Sequence, residues 1–388
     1  MGCVWKQGIR RGHRDDMSRI RVAVLFGGRS GEHEVSLASA RSVMAALDKD
    51  KYEVFSIGID QTGRWITQGD PMALLTEGVA NDASPEPCEN ANEELPAALR
   101  RRELVPGTTK ARFPVVDVVF PVLHGTYGED GTVQGLLELA DLAYVGGDVL
   151  GSAVGMDKVI QKAVLRAHGI PIVDYVAILR SHWLAEPDAV VEEIEGRLAY
   201  PMFTKPANAG SSVGVAKAHD REELLSGLAL AARFDRKIVI EAGIDAREIE
   251  CAVLGNDDPI ASLPGEVVPS NEFYDYHAKY VDNASGLLIP APLDEAQTRE
   301  VQVLALKAFA AIDCAGMARV DFFLERATGR LYVNELNTIP GFTEISMYPK
   351  LWEASGLPYA RLLDRLIELA MERREDKRRS RTRYEHDH

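Results

Sequence analysis

The sequence predicts a protein of the mixed α/β and α+β class that is divided into three modules. The first observation is the length, because 388 residues exceed what one hydrophobic core usually organises. The second is an opening α/β unit, in which a β-branched apolar run at 20–26 precedes a Gly-rich turn and helical spacing at 35–47. The third is a late pair of alternating polar and apolar runs joined by a turn at Thr328-Gly329, which indicates a β-hairpin.

The first module is predicted to span residues 17–147. Its expected elements are strands at 20–26, 54–59, 115–122 and 143–145 and a helix at 35–47. Residues 82–110 are rich in Asn, Pro, Glu and Ala without useful periodicity, so they are expected to form a long surface insertion. Residues 1–16 are basic and lack the apolar core of a secretory signal. Because Met17 stands directly before the first strand, we expect these sixteen residues to be a disordered tag or a misassigned start.

Two further modules are expected at 148–241 and 242–370. The elements predicted for the central module are a helix at 157–168, strands at 202–205 and 237–241, a Gly/Ser loop at 208–214 and a helix at 221–233. Those predicted for the third module are a strand from residue 249, a polar loop at 274–285, an amphipathic helix at 295–312 and the hairpin. Residues 371–388 are almost continuously charged, which predicts a solvated, frayed tail.

Composition argues against several classes of function. The net charge of −15 argues against nucleic-acid binding, which depends on clustered Lys and Arg side chains. No apolar run approaches the roughly 20 residues that span a bilayer, so neither a transmembrane segment nor a membrane partner is expected. The four cysteines lie far apart without metal-ligand spacing, which argues against a zinc site and favours a reducing cytoplasm.

The hairpin carries the densest chemistry in the sequence. Alternate side chains of a strand share a face, so Arg319 lies beside Asp321 on one strand and Glu335 beside Asn337 on the other. The turn between the strands would bring these four side chains onto one patch. The side-chain oxygen atoms of Asp321, Glu335 and Asn337 suit a hard cation such as Mg²⁺. From the hairpin alone, a metal site and a solvent-facing surface with weak ion pairs stay equally open.

Three loops are candidate ligand contacts. The loop at 205–214 follows a strand, and its small residues would let backbone N–H groups approach an anion, although it lacks the Walker pattern and a simple turn stays open. His124 begins a Gly-rich loop at a strand end, where open α/β sheets bind ligands, and a structural histidine is the equal alternative. Gly27-Gly28 lacks the spacing of a dinucleotide fingerprint, and Glu32 at a helix start could simply favour the dipole.

Six segments, taken in order, resemble the D-alanine–D-alanine ligases, and the similarity covers nearly everything after Met17. They are GGRSGEHEVS at 27–36, HGTYGEDG at 124–131, KPANAGSSVG at 205–214, FYDYHAKY at 273–280, RVD at 319–321 and NELNTIPG at 334–341. The resemblance implies a three-domain ATP-grasp fold whose N-terminal domain is a Rossmann-like parallel sheet. It also implies a homodimeric cytoplasmic enzyme that supplies D-alanyl-D-alanine for peptidoglycan precursors.

The resemblance implies ATP and two Mg²⁺ or Mn²⁺ ions as cofactors, with a monovalent cation as a further candidate. The implied nucleotide contacts are Lys158 and Lys205 at the phosphates, Glu241 and Ile244 at the adenine, Glu248 at the ribose, and Ser212 and Lys279. The implied metal ligands are Asp321, Glu335 and Asn337.

The implied reaction has two stages. The carboxylate of one D-alanine attacks the γ-phosphate to give an acylphosphate, and the amine of a second D-alanine then displaces phosphate. Arg319 and the backbone N–H of Gly341 would stabilise the oxyanion of the tetrahedral intermediate. The implied substrate contacts are Glu32 at the first ammonium, linked to Ser211 and Tyr280, His124 near that subsite, and Ser346 with the N–H of Met347 at the second carboxylate.

Two departures from the family pattern bear on these roles. The insertion at 82–110 and the charged tail have no role that the resemblance assigns, and the stretch from Glu241 to Ile244 lacks the aromatic residue of some relatives. The resemblance also implies D-alanine rather than D-lactate as the second substrate, because Lys279-Tyr280 is retained and the lactate-using relatives tend to alter the residue at Tyr280. The alternatives are a D-alanine–D-lactate or D-alanine–D-serine ligase and, in another class, a nucleotide-binding regulator without turnover.

Overall fold

The computed structural model describes residues 19–76, 115–268, 286–343 and 345–381. Three sheets with helices around them confirm the predicted mixture of α/β and α+β structure. Within the described ranges, no helix is both long and apolar enough to cross a membrane.

Several sequence-based expectations fall outside the described residues. They are the disordered start at 1–16, the insertion at 82–110, the loop at 274–285 with Lys279 and Tyr280, and the last seven residues of the tail.

The first sheet is mainly parallel. Its strands are β1 (Ile20–Gly27), β2 (Tyr52–Ile59), β3 (Trp65–Ile66), β4 (Val118–Pro121) and β5 (Ala143–Tyr144), and its helices are α1 (His33–Ala46), α2 (Pro71–Thr76) and α3 (Thr132–Leu139). The strand order is β3-β2-β1-β4-β5, with β3 antiparallel to β2 and the other pairs parallel. Parallel strands end at the same edge of a sheet, so the loops after β1 and β4 meet there, and Ser30 Oγ donates to the His124 carbonyl at 2.6 Å.

The central sheet is antiparallel. Its strands are β6 (Tyr175–Leu179), β7 (Met202–Pro206), β8 (Ala216–Ala218) and β9 (Lys237–Ala242), in the order β6-β9-β7-β8. The helices before and within this segment are α4 (Val149–Met156), α5 (Lys158–Ala167), α6 (Arg180–Ala185), α7 (Pro187–Glu195) and α8 (Arg221–Ala231). The Asp157 side chain caps α5 by accepting from the first-turn N–H groups of Val159 and Ile160, so the helix begins at Lys158.

The third sheet is also antiparallel and carries the predicted hairpin. Its strands are β10 (Ala246–Gly255), β11 (Ile260–Ala261), β12 (Gly265–Val268), β13 (Gly286–Leu288), β14 (Gly316–Glu325) and β15 (Leu331–Asn337). The helices of this segment are α9 (Glu295–Ala311), α10 (Met347–Ala354) and α11 (Tyr359–Lys377). In the pairing of β14 with β15, Arg319 lies opposite Asn337 and Asp321 opposite Glu335. Val320 and Phe322, between and after them, are buried, which confirms the predicted two-faced hairpin.

The first and third segments share one apolar core. Val24 of β1 and Phe120 of β4 belong to the same buried cluster as Trp352 of α10 and Leu366 of α11. Each such side chain contributes about 1.5–3 kcal/mol through removal from water. The shared core therefore fixes the loops after β1 and β4 relative to the third sheet. The module limits near residues 147 and 241 stay a prediction.

The predicted frayed tail is wrong for residues 371–377, which continue α11. The guanidinium of Arg373 lies over the Tyr144 ring at 4.6 Å and donates to the Tyr144 carbonyl at 2.9 Å. Arg378 and Arg374 pair with Asp141 of the first segment, and these partners lower the pKa of Asp141 to about 2. The charged residues form a helix here because their partners come from the distant β5 region, which a local pattern does not reveal.

Replacing Arg373 by alanine is expected to lower the free energy of unfolding by about 2 kcal/mol, because charge-assisted hydrogen bonds and a cation–π contact are lost together. The matched control is Arg379→Ala, since Arg379 pairs only with the exposed Asp376 in the described contacts. That change is expected to cost less than about 0.5 kcal/mol. Urea-unfolding midpoints of both variants measure the difference, and equal shifts would argue against the Arg373 contact as a clamp.

Candidate active site

The hairpin brings the four predicted polar residues together. Arg319 Nε and Nη2 each donate to Asp321 at 2.7 Å, and Arg319 Nε also lies 3.0 Å from Glu250 Oε2. Asn337 Nδ2 donates to Asp321 Oδ2 at 2.9 Å. Burial alone would lower the pKa of Arg319, but Asp321 and Glu250 outweigh it and raise that pKa well above its ordinary value. A permanently charged guanidinium is thus fixed on a mostly buried face.

The donor set of this patch fits a hard cation only in part. Asp321 and Glu335 supply carboxylates and Asn337 an amide, and these are ligands that Mg²⁺ accepts. Within the described ranges, no group of three or more His, Cys, Asp or Glu side chains is arranged to hold a metal ion. A divalent ion held by the two carboxylates and the amide would therefore need water or phosphate oxygens to complete its shell.

A second polar cluster surrounds Glu32 at the start of α1. The Ser211 hydroxyl donates to Glu32 Oε1, which joins the loop of the central segment to the first sheet. The backbones of Gly125 and Gly210 lie so close that a Cβ on either would stand 2.6 or 2.5 Å from Glu32 Oε2. Ser211 itself adopts a positive φ of 47°, a conformation that non-glycine residues rarely take. The arrangement holds a carboxylate at a junction of three loops.

His124 is buried and bridges the first and third segments. Its Nδ1 lies 3.1 Å from the Ile339 carbonyl, which can only accept, so Nδ1 carries the proton. Its Nε2 therefore accepts from Ser39 Oγ at 3.1 Å. Burial lowers the pKa of His124, which keeps the ring neutral. Both ring nitrogens are thus occupied, and the ring connects the start of the 124–131 segment to the loop at 339–341.

Glu129 is a site residue that the sequence reasoning missed. It accepts hydrogen bonds from the N–H groups of Gly125 at 2.7 Å and Ile339 at 3.3 Å. Burial, together with the charge of Glu32, raises the pKa of Glu129 to about 8. Glu129 lies within the 124–131 segment, so that motif was the available signal.

The loop before α10 contains a hydroxyl group that accepts a hydrogen bond and leads to backbone N–H groups at the start of that helix. Ser346 Oγ accepts from the Thr343 N–H at 3.0 Å, and a Cβ on Gly341 would stand 2.7 Å from that oxygen. Ser346 is the N-cap residue of α10, and Met347 is the first residue of the helix. The N–H groups at a helix start favour an anion.

The predicted site residues line two neighbouring cavities. The larger, of about 600 Å³, is lined by Lys158, Lys205, Ser212, Glu241, Ile244 and Glu248. The smaller, of about 190 Å³, is lined by Glu32, His124, Arg319, Asp321, Gly341, Ser346 and Met347. Ser211, Glu248, Glu335, Asn337 and the missed Glu129 line both. Every predicted site residue within the described ranges therefore borders one or both cavities.

Charged and aromatic side chains both line the larger cavity. Lys158 Nζ donates to the Ala209 carbonyl at 2.8 Å and lies 3.4 Å from Glu335 Oε2, whereas Lys205 Nζ donates to Glu241 Oε2 at 2.6 Å. The stretch from Glu241 to Ile244 has no aromatic residue, but Phe203 of β7 lines the cavity beside it. The lining of the cavity thus includes both ammonium groups and apolar side chains.

Comparison with known proteins shows which family this chain resembles. The family models for the D-ala D-ala ligase N-terminus and C-terminus match residues 21–147 and 164–368. A D-alanine--D-alanine ligase of Ruminiclostridium cellulolyticum is 52% identical, over 94% of this chain and 99% of its own length.

Solved structures give the same result. The D-alanine-D-alanine ligase of Coxiella burnetii has a TM-score of 0.75 at 39% identity, covering 93% of this chain and 96% of its own. The VanG D-Ala:D-Ser ligase of Enterococcus faecalis has a TM-score of 0.76 at 35% identity, covering 91% of this chain and 100% of its own. These matches confirm the ATP-grasp fold that the six segments implied. The chain therefore belongs to the D-ala D-ala ligase family.

Proposed function

We propose that the chain uses ATP to join two D-alanine molecules into D-alanyl-D-alanine, which serves peptidoglycan synthesis. The observation that carries the proposal is the junction of the two cavities at Glu129, Ser211, Glu335 and Asn337. A nucleotide in the larger cavity would direct its phosphates toward a small polar cavity that suits amino acids. ATP-dependent ligation needs this adjacency, because the γ-phosphate must reach a carboxylate.

Phosphate binding is proposed for the ammonium groups of Lys158 and Lys205, with Ser212 beside them. Both Lys side chains border the larger cavity, and phosphoryl transfer depends mainly on positioning and on charge stabilisation. The apolar side chains of Ile244 and Phe203, which line the larger cavity, suit the adenine, and Glu241 lies opposite Phe203 in the sheet. Glu248 is the proposed ribose contact.

Asp321, Glu335 and Asn337 are the proposed ligands for two Mg²⁺ or Mn²⁺ ions. When bound, such ions neutralise charge that develops on the transferring phosphoryl group. For Asn337 to act as a ligand, its amide oxygen has to replace the Nδ2 group that now faces Asp321. The resemblance alone implies three further features, which are a monovalent cation, Lys279 at the nucleotide and Tyr280 beside Glu32.

The smaller cavity is proposed to hold both amino acids. Glu32 would bind the ammonium of the first D-alanine, which leaves its carboxylate free to attack the γ-phosphate and form the acylphosphate. The second D-alanine would place its carboxylate at Ser346 and the Met347 N–H. Its amine then attacks the acylphosphate carbonyl, and phosphate leaves from the tetrahedral intermediate.

Arg319 and the N–H of Gly341 are proposed to stabilise the oxyanion of that intermediate. Both groups line the smaller cavity, and preorganised donors of this kind contribute about 3–4 kcal/mol to such reactions. Exclusion of water matters here, because water would hydrolyse the acylphosphate. Assembly as a homodimer in the cytoplasm is part of the same proposal.

The test is phosphate release from ATP and Mg²⁺ with D-alanine, compared with L-alanine, with D-alanine plus D-lactate and with D-alanine plus D-serine. The expected result is D-alanine-dependent release with D-alanyl-D-alanine as the product identified by mass spectrometry. Equal background release in all reactions would overturn the proposal. A depsipeptide or a D-serine product in preference to the dipeptide would favour the alternative ligases.

Replacing Gly210 by alanine is expected to raise the KM for D-alanine at least about tenfold, since losing a charge-assisted contact costs about 1.5–3 kcal/mol. The added Cβ would displace the Glu32 carboxylate, a flexible side-chain end, so folding should survive. Gly135→Ala is the matched control, because its Cβ would meet no atom within 4 Å. Steady-state kinetics check both variants, and an unchanged KM in Gly210→Ala would contradict the role of Glu32.

A further inference from the structure

Lys162 is a buried cation one turn after Lys158 on α5, and neither the motifs nor the proposed mechanism uses it. Its side chain is 1% exposed. A buried ammonium is costly unless it is paired, and burial lowers the pKa of Lys162 while the carboxylate of Glu241 opposes that shift. The positive charge of Lys162 therefore has to be compensated by neighbouring anionic or polar groups.

The compensation comes mainly from Glu241 at the end of β9. Lys162 Nζ lies 2.9 Å from Glu241 Oε1, while Lys205 Nζ lies 2.6 Å from the other oxygen, Oε2. Lys162 Nζ also donates to the Asn334 carbonyl at 3.4 Å and lies 6.0 Å from the centre of the Tyr175 ring. One buried carboxylate is thus held between two ammonium groups.

The two ammonium groups differ in access to ligands. Lys205 borders the larger cavity with a side chain that is 12% exposed, whereas Lys162 borders neither cavity. Burial alone would raise the pKa of Glu241, but Lys162 and Lys205 outweigh it and lower the pKa to about 2. An anionic ligand in the cavity competes with Glu241 for Lys205 and cannot compete for Lys162.

From this asymmetry we infer that Lys162 is a positioning residue for nucleotide binding, the permanent counter-ion that keeps Glu241 neutralised when Lys205 turns to the phosphates. The inference rests on the proposed function for its ligand, ATP. Without Lys162, phosphate binding at Lys205 would leave a buried carboxylate without a cation. The binding penalty would then fall on ligands that carry phosphates and not on adenosine, because Lys205 still pairs with Glu241 when no phosphate is bound.

The test compares Lys162→Met with the wild type, with Lys307→Met on the exposed face of α9 as the control. Calorimetric Kd values are measured for ATP and for adenosine, which has no phosphate. The expected result for Lys162→Met is a Kd for ATP raised tenfold or more and a Kd for adenosine within threefold of the wild type. Because the change removes one partner of a buried ion pair, the unfolding midpoint without ligand is expected to fall, and binding is measured at a temperature at which both proteins are folded. At saturating ATP, kcat should stay within threefold, so the defect appears in KM.

A purely structural role predicts a different pattern. Equal weakening of ATP and adenosine binding, or a lowered unfolding midpoint with an unchanged ATP Kd, would overturn the inference. The double variant Lys162→Met with Glu241→Gln provides a second test, because an amide needs no counter-ion. Relative to Glu241→Gln alone, it should bind ATP within threefold, and a further tenfold loss would contradict the counter-ion role.

The outcomes also separate this inference from the proposed function. A wild-type protein that binds ATP but makes no D-alanyl-D-alanine would defeat the proposed function and leave the Kd comparison intact. An active wild type with normal ATP binding in Lys162→Met would defeat the inference alone.

Discussion

Glu335→Ala is expected to lower kcat about a thousandfold or more, equivalent to at least about 4 kcal/mol of transition-state stabilisation. Glu335 borders both cavities, lies opposite Asp321 in the hairpin and stands 3.4 Å from the ammonium of Lys158. Its removal takes away a proposed metal ligand and leaves Lys158, a proposed phosphate contact, without its carboxylate partner. Initial rates at saturating ATP and D-alanine measure the loss.

The variant needs a control for the mere loss of a carboxylate. Glu300→Ala removes an exposed carboxylate from α9 and should keep wild-type turnover. Glu335→Gln keeps the shape but not the charge, so it is expected to lose nearly as much activity as Glu335→Ala. Turnover within tenfold of the wild type in Glu335→Ala would show that the hairpin patch does not act on phosphate.

Arg319→Ala is expected to lower kcat by a comparable factor of about a thousand or more, because an oxyanion donor contributes about 3–4 kcal/mol and a charged one more. The guanidinium is held by Asp321 at 2.7 Å and by Glu250 at 3.0 Å, so its direction is fixed before substrate binds. Arg319→Lys keeps the charge but not the planar fork, and it is expected to recover little of the activity.

Stability has to be separated from chemistry in this variant. Removal of one partner from a buried charge cluster costs about 3–5 kcal/mol, so unfolding midpoints are needed beside the kinetics. Arg330→Ala, on the exposed turn of the same hairpin, is the control and should retain full activity. A folded Arg319→Ala protein with near-normal kcat would contradict the oxyanion role.

The hairpin shows what the sequence can predict. Its alternation of polar and apolar residues is local, so the faces of Arg319, Val320 and Asp321 follow from the period of a strand, and the structure agrees. The six segments indicated the family, because their order along the chain is far more specific than any single motif. From spacing alone, a metal site and a solvent-facing surface with weak ion pairs were equally open interpretations of this patch.

Other features depend on partners that are distant in the chain. Lys162 lies on α5 and Glu241 on β9, far apart in the chain, and the packing of α5 brings them to 2.9 Å. The end of α11 is helical because Tyr144 and Asp141 of the first segment receive its arginines. No periodicity within residues 371–377 contains that information.

The central claim is that a D-alanine carboxylate attacks the γ-phosphate of ATP in the junction of the two cavities. Its most direct test uses D-alanine labelled with ¹⁸O in both carboxylate oxygens, with mass analysis of the phosphate released in a single turnover. Each phosphate is expected to carry one ¹⁸O atom, because the bridging oxygen of the acylphosphate leaves with phosphorus when the second amine attacks the carbonyl. Phosphate released with dipeptide formation but without ¹⁸O would contradict it.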